Sequence, residues 1–181
     1  MREVVVEERE ALGLGATDRL DPYRLAETHG IRIYALSDLR KSGVSDAAFA
    51  HFTGEGSGKW SAALVPLGSS RIIIEHDGHA EVRRRASLAH ELGHFLLEHE
   101  FAAALLDGDH DRQFDKVKEK QANFMAAELL IPEPAARRAA YAKWGNHQVG
   151  RAYGVSPQFA QMRMSGVRVM AERAAKKFAR R

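Results

Sequence analysis

The sequence contains no cysteine, and this absence narrows the chemistry that the protein can perform. Without thiols there is no disulfide framework, no cysteine nucleophile and no cysteine-ligated zinc. Any bound metal ion therefore needs histidine, aspartate or glutamate ligands. The nine histidines among the 181 residues are the first residues to locate.

Long apolar runs are also missing from the sequence. No stretch approaches the roughly 18 apolar residues of a membrane-spanning helix. The opening residues MREVVVEERE are too acidic and too briefly apolar for a secretory signal. We therefore expect a cytoplasmic protein with no membrane partner. With 45% hydrophobic and 28% charged residues, the composition is typical of a globular chain and excludes collagen-like and wholly disordered proteins.

The residue patterns predict a mixed α+β fold. Asp21 and Pro22 begin a helix over residues 22–29, and helical spacing returns over 81–98, over 115–130 and again beyond 135. Between the first two of these helices, short apolar or alternating runs predict a small twisted sheet of three or four strands. The four runs are residues 31–36, 48–52, 60–67 and 71–75.

The helix predicted over 81–98 contains an H-E-x-x-H motif at residues 90–94. Histidines at positions i and i+4 lie on one helix face and can bind the same metal ion. Glu91 lies next to that face, where it is placed to hold a metal-bound water and act as the catalytic base. The opposite side of the helix is apolar, which predicts a core on one side and a cleft on the other. Its apolar residues are Leu88, Ala89, Leu92, Phe95 and Leu96.

A catalytic zinc ion needs a third protein ligand and an open fourth position, and Glu119 on the following helix is the best candidate. Asn123 shares its helix face and is placed to hydrogen bond to a ligating histidine. Glu128 is the alternative carboxylate, but it projects to nearly the opposite side. The predicted ligands are therefore His90, His94 and Glu119, for Zn²⁺ or another divalent ion such as Mn²⁺.

Two segments together resemble the ImmA/IrrE family of intracellular metallo-endopeptidases. Residues 89–97, AHELGHFLL, are similar to the family's A-H-E-L-G-H helix. Residues 119–132, EKQANFMAAELLIP, are similar to its E-x-x-A-N-x-F-A-x-x-L-L-M-P segment. Three residues depart from the usual pattern: Gln121 replaces a common second Glu, Met125 replaces Phe and Ile131 replaces Met.

The resemblance implies a zincin-like α+β fold in which a small sheet packs on the H-E-x-x-H helix, within a peptidase-like domain over residues 1–134. It also implies a zinc-dependent endopeptidase whose substrate is a protein, a helix-turn-helix transcriptional repressor. By analogy with zinc peptidases, the strand at 71–75 is expected to be the edge on which an extended substrate pairs. Residues 135–181 are predicted to form a basic, helix-turn-helix-like C-terminal segment.

Two other functions are weighed against the peptidase. DNA binding is suggested by residues 149–156, which resemble half of a helix-turn-helix. Between residues 163 and 181 there are seven basic residues and one acidic residue, a local charge of +6. We expect nucleic-acid binding to be the weaker hypothesis because family members carry a similar segment packed on the peptidase domain. The third hypothesis is a regulatory partner-binding protein with a structural metal site.

Several other polar residues are predicted to be structural. His76 and His79 are expected to face solvent in a turn, the arginines at 83–85 to form a solvated surface, and His99 to be partly buried. Residues 107–111 resemble the start of a calcium loop but lack its later glycine and glutamate, which indicates a polar loop. The donor for the reaction's oxyanion is left open among three residues, Tyr141, His147 and Tyr153.

Overall fold

The computed structural model describes residues 1–41, 43, 45–54, 60–99 and 116–178. Its helices are α1 (Arg2–Ala11), α2 (Pro22–Thr28), α3 (Leu36–Lys41), α4 (Asp46–Thr53), α5 (Glu81–Leu96), α6 (Lys116–Leu130), α7 (Glu133–Tyr141), α8 (Asn146–Tyr153) and α9 (Pro157–Phe178). Its strands are β1 (Arg32–Ala35), β2 (Ala62–Leu67) and β3 (Ser70–Glu75). The predicted α+β class is confirmed, with a mostly helical chain around a small sheet. No helix in these ranges is long and apolar enough to cross a membrane.

The sheet has the strand order β1-β3-β2, with β3 parallel to β1 and antiparallel to β2. A tight turn joins β2 to β3 through Gly68, whose φ of 60° suits glycine. Because β3 pairs on both sides, it is not an edge strand. The prediction that a substrate pairs along residues 71–75 is therefore wrong. Of the two strands that flank β3 in the described sheet, β2 is the one that lies beside α5.

Local sequence signals placed most elements correctly, and α2 shows why. The Asp21 side chain accepts a hydrogen bond of 3.1 Å from the Tyr23 N–H, Pro22 stands at the first helical position, and Gly30 follows with a φ of 67°. Asp caps a free N–H, Pro needs none, and Gly adopts the left-handed turn without strain. The helix over 22–29 is confirmed by α2.

The strand predicted over residues 48–52 is wrong, because those residues lie in α4. The run alternates, but alanine is the strongest helix former, and Asp46 in the first turn complements the helix dipole.

The helix α1 was not predicted, since its valines favour strands. Packing decides it: Val5 and Arg9 are buried one turn apart, and Arg9 Nη1 donates to the Leu129 carbonyl of α6 at 3.1 Å.

Two apolar clusters form the core, and α5 and α6 contribute to both. One joins the sheet residues Leu64 and Ile73 to Leu88 and Leu92 of α5. The other joins α5 and α6 to the three C-terminal helices α7, α8 and α9. The domain boundary predicted after residue 134 falls within α7, and the division into two units stays a prediction.

The arginine run at 83–85 is only in part the solvated surface that was predicted, because Arg83 is exposed but Arg84 and Arg85 are not. Arg85 is only 4% exposed, and its guanidinium donates to the carbonyls of Leu20 at 2.7 Å and Gly154 at 3.1 Å. Arg84 pairs with the buried carboxylate of Glu75. The planar guanidinium has five donors, so it can serve several turn carbonyls from one buried position. These contacts fix the start of α5 against the chain before α2 and the turn after α8.

Candidate metal centre

The helices α5 and α6 approach each other closely at Gly93. A Cβ atom built on Gly93 would lie 2.9 Å from the Ala122 carbonyl oxygen and 3.0 Å from the Met125 Cβ. Both distances are too short for a side chain, so only glycine fits here without movement of the helices. This close packing places the α5 residues on either side of Gly93 opposite the first turns of α6.

The three predicted ligand residues lie together between α5 and α6. The Nε2 atoms of His90 and His94 are 3.1 Å apart. Glu119 places Oε2 at 3.3 Å from His90 Nε2 and Oε1 at 3.4 Å from His94 Nε2. Their donor atoms form one group within 4.8 Å of one another, and it is the one such group among the described residues.

The donor set of this cluster fits a divalent metal ion. Two imidazoles and one carboxylate are a ligand set that zinc accepts, at bond lengths of about 2.0 to 2.2 Å. Tetrahedral ligands at those lengths are separated by about 3.3 Å from one another. The two Nε2 atoms, 3.1 Å apart, are close to that separation, and the Glu119 carboxylate lies within 3.4 Å of both, with a different oxygen nearest each histidine. The three side chains are therefore close enough together to hold one metal ion.

Burial keeps both histidines neutral, which metal binding requires. Burial, followed by the nearby His90 and His99, lowers the pKa of His94 to about 4. Burial also lowers the pKa of His90, against the opposing effect of the Glu119 carboxylate. The His94 side chain is 5% exposed and that of Glu119 is 33% exposed. The cluster is thus closed on the His94 side and open to solvent on the Glu119 side.

The carboxylate of Glu91 is held at the outer edge of β2. Its Oε2 accepts a hydrogen bond of 2.9 Å from the Leu64 N–H. In the register of β2 and β3, Leu64 lies opposite Ile73. The His76 N–H donates to the Ser61 carbonyl opposite it, and from that pair onward every second pair is hydrogen bonded, so the Leu64–Ile73 pair is not. By alternation, Leu64 directs its N–H away from β3. The Glu91 side chain therefore contacts the outer edge of this strand, while its backbone is next to His90 on α5.

Two residues that sequence reasoning did not assign to the site lie beyond His94: His99 contacts His94, and Gln121 contacts His99. His99 was interpreted as a structural residue, but its Nδ1 lies 3.0 Å from His94 Nδ1. The Nε2 of His99 is 3.1 Å from Oε1 of Gln121. The turn that brings His99 back follows α5 through Glu98, whose φ is 51°. A glycine there would have signalled such a turn, whereas a glutamate gives no local signal.

Asn123 has the kind of contact that was predicted for it. Its side chain hydrogen bonds to His90, the other histidine of the pair. Glu128, the alternative carboxylate, is 2% exposed and pairs with Arg163 at 2.8 Å and with Arg2 at 3.2 Å. Glu128 is therefore part of a buried ion pair that ties α9 to α6.

Other predicted polar residues lie in different surroundings. His76 is 8% exposed and stacks on His79 at 4.0 Å between ring centroids, so the prediction that His76 faces solvent is wrong. The aromatic ring of Trp60 and the strand end cover it. Tyr153 is buried and its hydroxyl donates to the Thr17 carbonyl at 3.4 Å, which makes it a packing residue. Tyr141 and His147 are exposed. Residues 107–111 lie outside the described residues.

The comparison with known proteins gives one family. The model of the Peptidase_M78 family, described as the IrrE N-terminal-like domain, matches residues 26–165. No curated protein matches the sequence. The matched range is well over half of the chain and includes α5, α6 and all four residues of the candidate site. The family implies metal-dependent peptidase activity. The chain therefore belongs to the Peptidase_M78 family of metallopeptidases, which has an IrrE N-terminal-like domain.

Proposed function

We propose that the protein is a zinc-dependent endopeptidase in which His90, His94 and Glu119 hold the metal ion and Glu91 is the catalytic base. The observation that carries the proposal is the cluster of two Nε2 atoms and one carboxylate close enough to share one ion, with Glu91 next to His90 on the same helix. In this zincin-like arrangement α5 is the active-site helix. Mn²⁺ or another divalent ion is an alternative occupant, because such a ligand set binds several metals.

The chain's own residues supply the proton transfers of peptide hydrolysis. When bound, zinc would lower the pKa of a coordinated water to about 7 and polarise the peptide carbonyl. Glu91 takes the proton from the attacking water and then delivers it to the leaving nitrogen. The Leu64 N–H holds Oε2 of Glu91, which fixes the orientation of the carboxylate during both transfers. The proton lost by the water thus ends on the new amino terminus.

We place the extended substrate along the outer edge of β2. Ala62 and Leu64 direct their backbone groups away from β3 by alternation, whereas Pro66 at the third outward position has no N–H. At Leu64 this edge offers a peptide only the carbonyl, because the N–H already donates to Glu91, and Pro66 offers no N–H, so pairing is confined to Ala62 and the Leu64 carbonyl. This edge replaces β3 as the substrate-binding strand.

We propose that the substrate is a cytoplasmic transcriptional repressor of the helix-turn-helix type and that its cleavage relieves repression. The support for this proposal is the resemblance to the ImmA/IrrE family. Cleavage at one site of a folded repressor also agrees with an edge strand that offers only a short pairing surface. Co-expression with candidate repressors, followed by mass spectrometry of their fragments, tests it.

Metal content is the first test of the site. Elemental analysis of the purified protein should give about one zinc ion, or a related divalent ion, per chain. His94→Ala and Glu119→Ala should lose it, while His147→Ala, which replaces an exposed histidine on α8, should retain it. A Glu119→Ala variant that binds metal as well as wild type would show that the ligand assignment is wrong.

Hydrolysis of a defined probe tests the role of Glu91. A mixed peptide library is incubated with zinc-loaded wild type and with zinc-loaded Glu91→Gln, and new termini are identified by mass spectrometry. We expect cleavage by wild type only, although both proteins carry the metal. Full peptidase activity in Glu91→Gln would refute its role as the base.

The alternative function, DNA binding, draws on α8, α9 and the left-handed turn at Gly154 between them. However, two of the basic residues that favoured it make contacts within the fold. Arg163 pairs with Glu128, and Arg168 donates to the Asn146 side chain at 2.7 Å. The Glu128 carboxylate offsets the charge of Arg163, and the Arg168 guanidinium already donates within the fold, which leaves fewer basic groups for phosphates. A duplex-DNA titration at several salt concentrations tests this alternative, which requires tight binding that weakens steeply with salt.

A further inference from the structure

Three side chains extend from the metal centre into the protein as a chain of hydrogen bonds. His94 Nδ1 lies 3.0 Å from His99 Nδ1, and His99 Nε2 lies 3.1 Å from Gln121 Oε1. Ligating histidines usually donate the second ring N–H to a carboxylate, a backbone carbonyl or water. In this protein the partner is a second imidazole, which can either accept or donate at the facing nitrogen.

The chain has two self-consistent directions. In the first, Gln121 Oε1 accepts from His99 Nε2–H, the lone pair of His99 Nδ1 accepts from His94 Nδ1–H, and His94 Nε2 carries a lone pair. In the second, the Gln121 amide is reversed, so its NH₂ group donates to His99 Nε2 and His99 Nδ1–H donates to His94 Nδ1. His94 Nε2 then carries the proton. Only the first direction leaves His94 Nε2 able to bind a metal ion.

We propose that His99 and Gln121 are positioning residues that hold His94 in the Nδ1–H tautomer, with its Nε2 lone pair directed at the cluster. The structure has Oε1 of Gln121 facing His99, which is the metal-ready direction. His94 Nε2 is correspondingly directed at His90 Nε2 and Glu119 Oε1. The proposal rests on the proposed metal site, and it adds a cause for the affinity of that site.

The turn after α5 supports this arrangement. The His99 N–H donates to the His94 carbonyl at 3.0 Å, while Glu98 between them adopts a φ of 51°. A left-handed conformation is unfavourable for a residue with a side chain. Backbone and ring therefore both bring His99 onto His94.

A double-mutant cycle on zinc affinity tests the chain. His99→Phe keeps a ring without an acceptor, and Gln121→Met keeps the length of the side chain without an acceptor. Competition with a chromophoric chelator should show a 10- to 100-fold weaker zinc affinity for each variant, the usual effect of such residues. The double variant should lose no more than His99→Phe alone, because Gln121 acts through His99. His99→Gln, which restores an acceptor, should recover part of the affinity.

A spectroscopic measurement on the metal-free protein gives a readout that a merely structural role would not change. Two-bond ¹H–¹⁵N correlation spectra at pH 8 distinguish the two tautomers of a neutral histidine. Wild-type His94 should carry its proton on Nδ1, and His99→Phe should shift the proton to Nε2. Circular dichroism and thermal melting show that each variant is folded.

The outcomes separate this inference from the proposed function. An Nε2–H tautomer at His94 in the metal-free wild type, additive losses in the double variant, or unchanged affinity in His99→Phe would each overturn the positioning role. Failure of wild type to bind zinc would overturn the metal site. The tautomer measurement needs no metal, so it would still decide whether the hydrogen-bond chain has the proposed direction.

Discussion

The close contact of Gly93 on α5 with α6 allows the effect of Gly93→Ala on stability to be predicted quantitatively. The added Cβ would lie 2.9 Å from the Ala122 carbonyl oxygen and 3.0 Å from the Met125 Cβ. Ordinary van der Waals separation requires the helices to move apart by about 0.5 Å, and overpacking of this kind costs about 1 to 3 kcal/mol. Alanine recovers about 1 kcal/mol of helix propensity. We therefore expect the free energy of unfolding to fall by between about zero and about 2 kcal/mol.

The matched control is Gly166→Ala in α9. Nothing lies within 4 Å of a Cβ built on Gly166, so the same substitution should there give only the propensity gain of up to about 1 kcal/mol. The difference between the two variants cancels helix propensity and leaves the cost of the contact. Urea unfolding of both metal-free variants and of wild type measures it. In thermal melts the same difference corresponds to about 2 to 4 °C per kcal/mol.

The position of α5 against α6 also sets the distances between the three ligand side chains of the metal centre, so Gly93→Ala should bind zinc less tightly. A shift of about 0.5 Å is at the limit that a preorganised site tolerates, whereas Gly166→Ala should keep wild-type affinity. The reasoning would be refuted if Gly93→Ala were as stable as Gly166→Ala, or if it lost stability and kept full zinc affinity.

Two further predictions concern buried ionisable groups. An unfolded histidine takes up a proton near pH 6.5, whereas folded His94 resists protonation down to about pH 4. The metal-free protein should therefore lose about 3 kcal/mol of stability through this group as the pH falls across that window. Denaturant titrations should show a shallower pH dependence for His94→Gln, and an identical one would contradict the assignment. Glu128→Gln leaves Arg163 buried without its partner and should cost about 3 kcal/mol in urea unfolding. Glu128→Met combined with Arg163→Met should recover part of that loss, and a double variant less stable than Glu128→Gln would contradict it.

The local part of the candidate site could be read from the sequence. An i, i+4 histidine pair shares a helix face wherever a helix forms, and the chain around it carries the periodicity of a helix. For the same reason the bounds of α2, α5 and α6 follow from caps, prolines and apolar spacing. Glu119 could be selected because small residues next to it predict a close helix approach.

The alternating run at 48–52 shows the limit of this reading. Its short pattern fits a strand, yet alanine content and an acidic first turn favour the helix α4 that forms. The burial of Arg85 is a second case, since its carbonyl partners at Leu20 and Gly154 lie far away in sequence. A run of charged residues is predicted to be exposed to solvent unless such partners are known.

The sequence by itself thus determined the family, the helix that carries His90 and His94, and the choice of Glu119, because helical spacing and motif order are local properties. Only the tertiary structure decided that β3 is central and β2 borders the site, that Leu64 holds Glu91, and that His99 returns to His94. Strand order and hydrogen bonds between distant segments depend on how the whole chain packs, and no local pattern contains that information.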